Sequence, residues 1–336
     1  MKNHKNIQLL DCTLRDGSYA NHFQFTSRDT AHICSSLEGA GVLNIEVGHG
    51  LGVGASSPKN GIAFEHDIDY IKAAKKSVEK AKIGVFFIPE ISHKDILKPC
   101  AEEGVDFVRV GVDPRGIDNA APTMEFLLKH NIDVHLNLMK SYATTPEQMS
   151  AKLKPYIDMG LESVYVVDSA GCMLPNEVKE YVELLVQDNW TVGFHGHNNL
   201  DLANANSLIA VEAGATYVDG TLAGMGRSSG NAQTEVLSWI LKKSGYSVDI
   251  DEFSLFELIS TYLKPLMITP QGKEAIELVT GMAKFHTSFL PLFKRAESSF
   301  NVDLNKLIYN VSEIDCTSPS EELINSVAED MRRIDE

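Results

Sequence analysis

This 336-residue chain is poor in cysteine, in long apolar runs and in clustered positive charge. Its five cysteines, Cys12, Cys34, Cys100, Cys172 and Cys316, are widely spaced and form no C-x-x-C. An odd number without pairing logic points to reduced thiols, not a disulfide framework, and so to a cytoplasmic protein. No apolar run approaches the roughly 18 residues of a membrane span, and the first six residues carry no apolar stretch of the secretory kind. No membrane association is expected. Acidic residues number 46 against 30 Lys and Arg, a net charge of −16. Without a basic patch, nucleic acid is not an expected partner. The 43% hydrophobic and 23% charged fractions are those of a soluble globular protein.

What is present is a rhythm. Short β-rich runs recur at 7–12, 43–48, 83–88, 107–112, 133–139, 163–167, 191–194 and 217–219. Helical patterns fall between them at 26–40, 66–81, 92–103, 121–130, 145–159, 175–188, 201–213 and 231–244. This alternation predicts an α/β fold, a (β/α)8 TIM barrel. The helix–strand joints repeat an acidic-x-Gly-apolar phrase, as in Asp158-Met159-Gly160-Leu161 and Glu212-Ala213-Gly214-Ala215, which suits a glycine just past a helix end. A doubly wound sheet fits less well, because strand one leads into Thr13-Leu14-Arg15-Asp16-Gly17 and not into a glycine-rich phosphate loop. After 252 the alternation stops, and 253–267, 270–289 and 321–334 read as helices. The expected organisation is a barrel domain over 1–252 and a C-terminal helical appendage over 253–336, which either covers the barrel or docks a partner.

Active sites of such barrels form at the C-terminal ends of the strands. Those ends deliver Arg15 and Asp16, Glu46 and His49, Arg109 and Asp113, His135 and Asn137, Asp168 and Ser169, His195 and His197, and Asp219 and Thr221. Side chains two apart on a strand share a face, so His195 and His197 point together. With Asp16 they make a facial set of two imidazoles and one carboxylate, which suits Mn²⁺, Mg²⁺, Co²⁺ or Zn²⁺ and leaves positions for substrate. Arg15 beside that set could steady an enolate or bind a carboxylate. Ser169 and His135 are further candidates for substrate contact. The glycine-rich 224–231 loop lies between a strand and a helix, where phosphate can bind, but it matches no nucleotide fingerprint.

The chain resembles the DRE-type metal-dependent TIM-barrel lyases and synthases. Three motifs carry the resemblance: Asp11-Cys12-Thr13-Leu14-Arg15-Asp16-Gly17, His195-Gly196-His197-Asn198-Asn199-Leu200-Asp201-Leu202-Ala203, and Gly224-Met225-Gly226 with Gly230-Asn231-Ala232. Within that superfamily it is most similar to the 4-hydroxy-2-oxovalerate aldolases. Ser18-Tyr19 replaces the acidic-Gln pair of the synthases, and the loop has Arg227-Ser228-Ser229 where the CoA lyases have a cysteine. The resemblance extends through Gly281-Met282-Ala283-Lys284-Phe285-His286-Thr287-Ser288-Phe289-Leu290. In the aldolases a His follows Arg-Asp-Gly-Ser as general base, with a Tyr partner from the C-terminal stretch. This chain has Tyr19 at the first position and His286 at the second, so the pair looks exchanged. The resemblance then implies His286 as base, with His22 as a second candidate, and Tyr19 as its partner.

It also implies a metal-dependent (Mn²⁺ first) cleavage of a 4-hydroxy-2-oxo acid to pyruvate and an aldehyde, or the reverse addition. Arg15 would assist at the enolate. No Schiff-base lysine is evident, Lys140 being the nearest. An acylating aldehyde dehydrogenase as partner and a homo-oligomeric state are further expectations. Two other readings stand beside this one: a Claisen-type enzyme condensing an acyl-CoA with a 2-oxo acid, and a non-catalytic barrel scaffold.

Overall fold

The computed structural model describes residues 7–130, 132–269, 271–272 and 274–335. The six N-terminal residues read above, and Pro270 at the start of one expected helix, lie outside them. Eight strands form a closed parallel barrel in sequence order. They are β1 (Gln8–Asp11), β2 (Asn44–Val47), β3 (Lys82–Phe87), β4 (Phe107–Val112), β5 (Asp133–Leu138), β6 (Ser163–Asp168), β7 (Thr191–Gly196) and β8 (Tyr217–Gly220). Closure comes from β1 pairing with β8, Leu10 opposite Asp219. The outer helices are α1 (Ser27–Gly39), α2 (Asp67–Ser77), α3 (Leu97–Glu102), α4 (Ala121–Lys129), α5 (Pro146–Asp158), α6 (Pro175–Gln187), α7 (Ala203–Ala213) and α8 (Thr234–Lys243). The fold is the expected TIM barrel.

Local chemistry explains the element ends. Thr26 and Asp29 form a capping box on α1, and Thr145 and Gln148 form one on α5 with Pro146 in the first turn. Gly160 and Gly214 end α5 and α7 at φ 89° and 117°, as the repeated joint phrase predicts. The strands carry β-branched and aromatic side chains outward onto the helices, where Ile45, Val85, Val110, Leu136, Val164, Val166 and Phe194 are buried in one core.

The C-terminal part divides differently from expectation. The segment 252–266, comprising α9 (Glu252–Leu258), a π turn (Ile259–Leu263) and α10 (Lys264–Leu266), buries Leu255, Leu258, Ile259 and Leu263 in the barrel core. A second core lies in α11 (Ala275–Met282), α12 (Leu290–Phe300), α13 (Leu304–Ser312) and α14 (Glu321–Asp335), around Phe285, Phe293, Leu307, Ile308 and Ile324. The single helix expected over 270–289 is only α11: the chain leaves it at Ala283, and Lys284 takes φ 54°. α12 and α13 were not expected. No helix of the described residues is long and apolar enough to cross a membrane.

Candidate active site

The first wall of the site grows from β1. Asp11 turns the chain by accepting from the Thr13 N–H at 2.9 Å and the Thr234 hydroxyl at 2.6 Å. Arg15 and Asp16 then open a tight 3-10 turn (Asp16–Asn21) over the barrel mouth. Asp16 accepts from Arg15 Nη1 at 2.9 Å and from Asn231 Nδ2 at 2.5 Å. Burial opposes its charge, but Arg15, His197 and His195 outweigh burial and hold its carboxyl below the usual range. Gly226 must be glycine for this approach, because a Cβ there would lie 2.3 Å from Asn231 Nδ2 and 2.8 Å from Asp16 Oδ2.

The opposite wall is the end of β7. His195 and His197 are both buried, and their rings stand 5.3 Å apart. Donor atoms of Asp16, His195 and His197 lie within 4.8 Å of one another. His195 Nδ1 meets Asp219 Oδ2 at 2.7 Å, and His197 Nδ1 meets the Gly230 carbonyl at 3.2 Å. A carboxylate and a carbonyl only accept, so each Nδ1 carries a hydrogen and Nε2 is the nitrogen left for a metal. Acceptors behind both rings are the usual support of metal-binding histidines. Burial, only partly offset by Asp16, pushes His197 down to about 3, so its ring is neutral near pH 7. The donor set fits a divalent cation. A second group of potential donors, Cys12, His195 and Asp219, shares His195 and is already committed to hydrogen bonding, with the Cys12 thiol donating to Asp219 at 3.9 Å.

A cavity of about 50 Å³ opens over these residues. Arg15, Asp16, Tyr19, Ser169, His195, His197 and His286 all line it, together with Arg227 and Asn137. Tyr19 and His286, from opposite ends of the sequence, therefore face one space. Burial raises the Tyr19 phenol to about 12 and pushes His286 well below its ordinary 6.5, with Arg227 and Lys140 adding to the latter. His286 Nδ1 is 2.7 Å from the Ser288 hydroxyl and accepts from the Ser288 N–H at 3.2 Å. Among the described residues no lysine lines this cavity, and Lys140 Nζ sits 4.0 Å from Asp113 and 5.4 Å from the Phe289 ring centre. A larger cavity of about 510 Å³ lies at the other end of the barrel, beside Gln8, Leu43, Asn44 and Ile250. Its size is not matched by converging reactive groups, and Glu38 there is occupied by the backbone N–H groups of 79–81.

Two expected site residues lie elsewhere. His135 is near the start of β5, so it points into the barrel below the mouth. It contacts Ser163 Oγ at 2.7 Å and is edge-on to Phe107, Tyr165 and Tyr217, with burial pushing it down to about 4. It is a core residue and not a substrate contact. His22 ends the 3-10 turn at φ 55°, is exposed and bonds Thr269 Oγ1 at 3.0 Å, outside the cavity lining. That leaves His286 as the further imidazole in the cavity that Asp16, His195 and His197 line.

Sequence reasoning gave no role to the charges underneath. Arg15 Nε donates to Glu46 at 2.6 Å. Arg109, fully buried, reaches Glu46 at 3.4 Å through Nη1 and Asp219 at 2.6 Å through Nη2. Asp16, Arg15, Glu46, Arg109, Asp219 and His195 thus form one alternating chain from one candidate metal ligand to another. The signal was present: a single charge inside each of the apolar strands β2, β4 and β8.

A closed parallel barrel with one carboxylate and two imidazoles converging on its C-terminal mouth defines a metal-site TIM-barrel enzyme. The chain belongs to the HMGL-like family, whose profile matches residues 6–261. It is 37% identical over 328 residues to 4-hydroxy-2-oxovalerate aldolase 2 of Rhodococcus jostii, covering 97% of this chain and 96% of that protein. It is 36% identical over 330 residues to 4-hydroxy-2-oxovalerate aldolase of Carboxydothermus hydrogenoformans, covering 98% of each. In fold it superposes on the carboxyl transferase domain of Rhizobium etli pyruvate carboxylase with pyruvate, at a TM-score of 0.77 and 16% identity, over 99% of this chain and 62% of that one.

Proposed function

We propose that this chain is a carbon–carbon lyase, a divalent-metal-dependent aldolase. It cleaves a 4-hydroxy-2-oxo acid such as 4-hydroxy-2-oxopentanoate to pyruvate and an aldehyde, or runs the reverse addition. The observation that carries this reading is the full-length likeness to 4-hydroxy-2-oxovalerate aldolases at 36–37% identity. It favours the aldolase over the Claisen and scaffold readings.

Asp16, His195 and His197 are the residues that would hold the cation. When bound, a divalent ion supplies the fixed positive charge that makes an enolate tolerable at neutral pH. Mn²⁺ is our first assignment, since two imidazoles and a carboxylate without thiolate form a set of intermediate hardness. Arg15 is pinned by Glu46 and Asp16, and its charge is held by them against burial. A guanidinium so fixed stabilises negative charge developing on the 2-oxo oxygen as the C3–C4 bond breaks. His286 removes the C4 hydroxyl proton. Its low pKa keeps it neutral at working pH, so one ring nitrogen is unprotonated and able to take that proton. Tyr19, held protonated by burial, donates to the C4 oxygen. Ser169, which lines the cavity, contacts the substrate carboxylate in this reading.

We further infer that the C-terminal helices dock an acylating aldehyde dehydrogenase and that the chain forms a homo-oligomer. Exposed Met282, Tyr309 and Ile314 support an interaction face there. All five cysteines are unpaired, which supports a cytoplasmic setting. The deciding experiment is a coupled assay of 4-hydroxy-2-oxopentanoate cleavage with Mn²⁺. Stoichiometric pyruvate and acetaldehyde are expected; release of free CoA from a thioester substrate, without cleavage, would point to condensation instead.

A further inference from the structure

Three guanidinium groups gather at the barrel mouth, and two of them are neutralised. Arg15 has Glu46 at 2.6 Å and Asp16 at 2.9 Å. Arg109 has Asp219 at 2.6 Å and Glu46 at 3.4 Å. Arg227 lines the same cavity, yet no carboxylate lies within ion-pair distance of it among the described residues. Its Nη1 donates to Thr287 Oγ1 at 2.8 Å and its Nη2 to the Ser169 carbonyl at 3.0 Å. Both acceptors are neutral. The same Nη2 is 3.4 Å from His197 Nε2, the lone-pair atom of a metal ligand. The group is thus fixed by the end of β6 and by the segment after α11, half-buried at the cavity wall, and its charge also helps to lower the Asp16 carboxyl.

The five N–H donors of this guanidinium outnumber these partners, so donors remain for an anion. Among the described residues Asp16 is the one carboxylate lining the cavity, and Arg15 and Asn231 already occupy it. A planar guanidinium on rigid anchors is suited to paired hydrogen bonding with a carboxylate. Nothing in the aldol chemistry set out above uses Arg227.

We propose that Arg227 is a carboxylate-binding residue of this site. The proposal rests on the aldolase reading for the identity of the ligand, which has two sources. One is the C1 carboxylate of the 2-oxo acid, close to Ser169. The other is a second carboxylate on the aldehyde half, close to His286, which would make the natural acceptor an oxo acid and not a simple alkyl aldehyde.

Two arms decide it, using Mn²⁺-loaded full-length wild type, Arg227→Gln and Arg227→Lys, with thermal melts confirming that each variant folds. The first arm is calorimetric binding of oxalate, a mimic of the pyruvate enolate that needs no turnover. The second is the ratio of kcat/KM for glyoxylate over acetaldehyde as acceptors of pyruvate. Loss of a charge-assisted carboxylate contact corresponds to at least about a tenfold change. Oxalate binding weakened that far by Arg227→Gln, and less by Arg227→Lys, assigns the C1 carboxylate. Unchanged oxalate binding with a tenfold fall in the glyoxylate preference assigns the second carboxylate. Changes under twofold in both arms overturn the proposal. If wild type joins pyruvate to neither acceptor, the aldolase reading fails, and the oxalate arm alone then decides Arg227: a tenfold loss upholds it, no loss overturns it.

Discussion

His195 and Asp219 are joined by a 2.7 Å hydrogen bond, on the same carboxylate oxygen that Arg109 reaches at 2.6 Å. Asp219 therefore fixes which nitrogen of His195 holds the hydrogen and makes the other a better donor. Asp219→Asn keeps the shape and removes the charge. Removing such support behind a metal ligand costs about 10- to 100-fold in affinity. Titration of the metal-free variant with Mn²⁺ should show that loss; affinity equal to wild type would detach Asp219 from the site.

Metal removal should silence the chemistry. Chelation by EDTA is expected to abolish cleavage and added Mn²⁺ to restore it, while Asp16→Asn should resist rescue at the same concentration. Borohydride with pyruvate should trap no adduct, because no lysine among the described residues lines the cavity. A stable adduct by mass spectrometry would contradict the enolate scheme.

The pH profile follows from the two buried acid–base groups. His286 lies well below 6.5, so its neutral, proton-accepting form persists as the pH falls below neutrality. Tyr19 at about 12 stays protonated well into the alkaline range. The acid limb of kcat/KM should thus lie below the ordinary imidazole range, with a plateau through neutral pH. His286→Ala should lower kcat by about 10²- to 10⁴-fold. A limb centred near pH 7, or full activity in that variant, would remove His286 as the base.

Arg109 is a stability residue for the same network. Arg109→Met leaves Asp219 and Glu46 buried without their shared cation, although Arg15 still reaches Glu46. Breaking a buried pair from one side costs about 3–5 kcal/mol. Chemical denaturation should register most of that loss; a variant within about 1 kcal/mol of wild type would show the charges relaxed elsewhere.

Gly230 holds His197 from behind through its carbonyl and takes φ 80°. A Cβ there would stand 1.8 Å from the Gly224 carbonyl oxygen. Gly230→Ala must shift the loop, at a cost of about 1–3 kcal/mol. Mn²⁺ affinity should fall with it, and unchanged affinity would mean that His197 needs no such anchor.

Much of this molecule was legible beforehand. The eight strand positions followed from alternation because each strand is a short apolar run between amphipathic helices, and the meeting of His195 and His197 with Asp16 followed from two histidines on one strand face. His135 misled because its place in β5 puts it one layer too deep; position along a strand, not membership of it, decides who reaches the mouth. α12 and α13 escaped notice although Pro291 in the first turn and Asp303, which accepts from the Lys306 N–H at 2.9 Å, are ordinary start signals. The role of Arg227 needed coordinates, because a lack of counter-charge is a property of neighbours far apart in sequence.

The C-terminal helices keep their own apolar interior, separate from that of the barrel, and Phe285 in that interior adjoins His286 in the chain. The candidate cation site and the proposed base thus stand on two apolar interiors, tied together where Asn199 donates to the Glu277 carbonyl and the Thr280 hydroxyl and Arg227 donates to Thr287. Those few polar ties, and not a shared apolar interior, set where His286 stands over Asp16, His195 and His197.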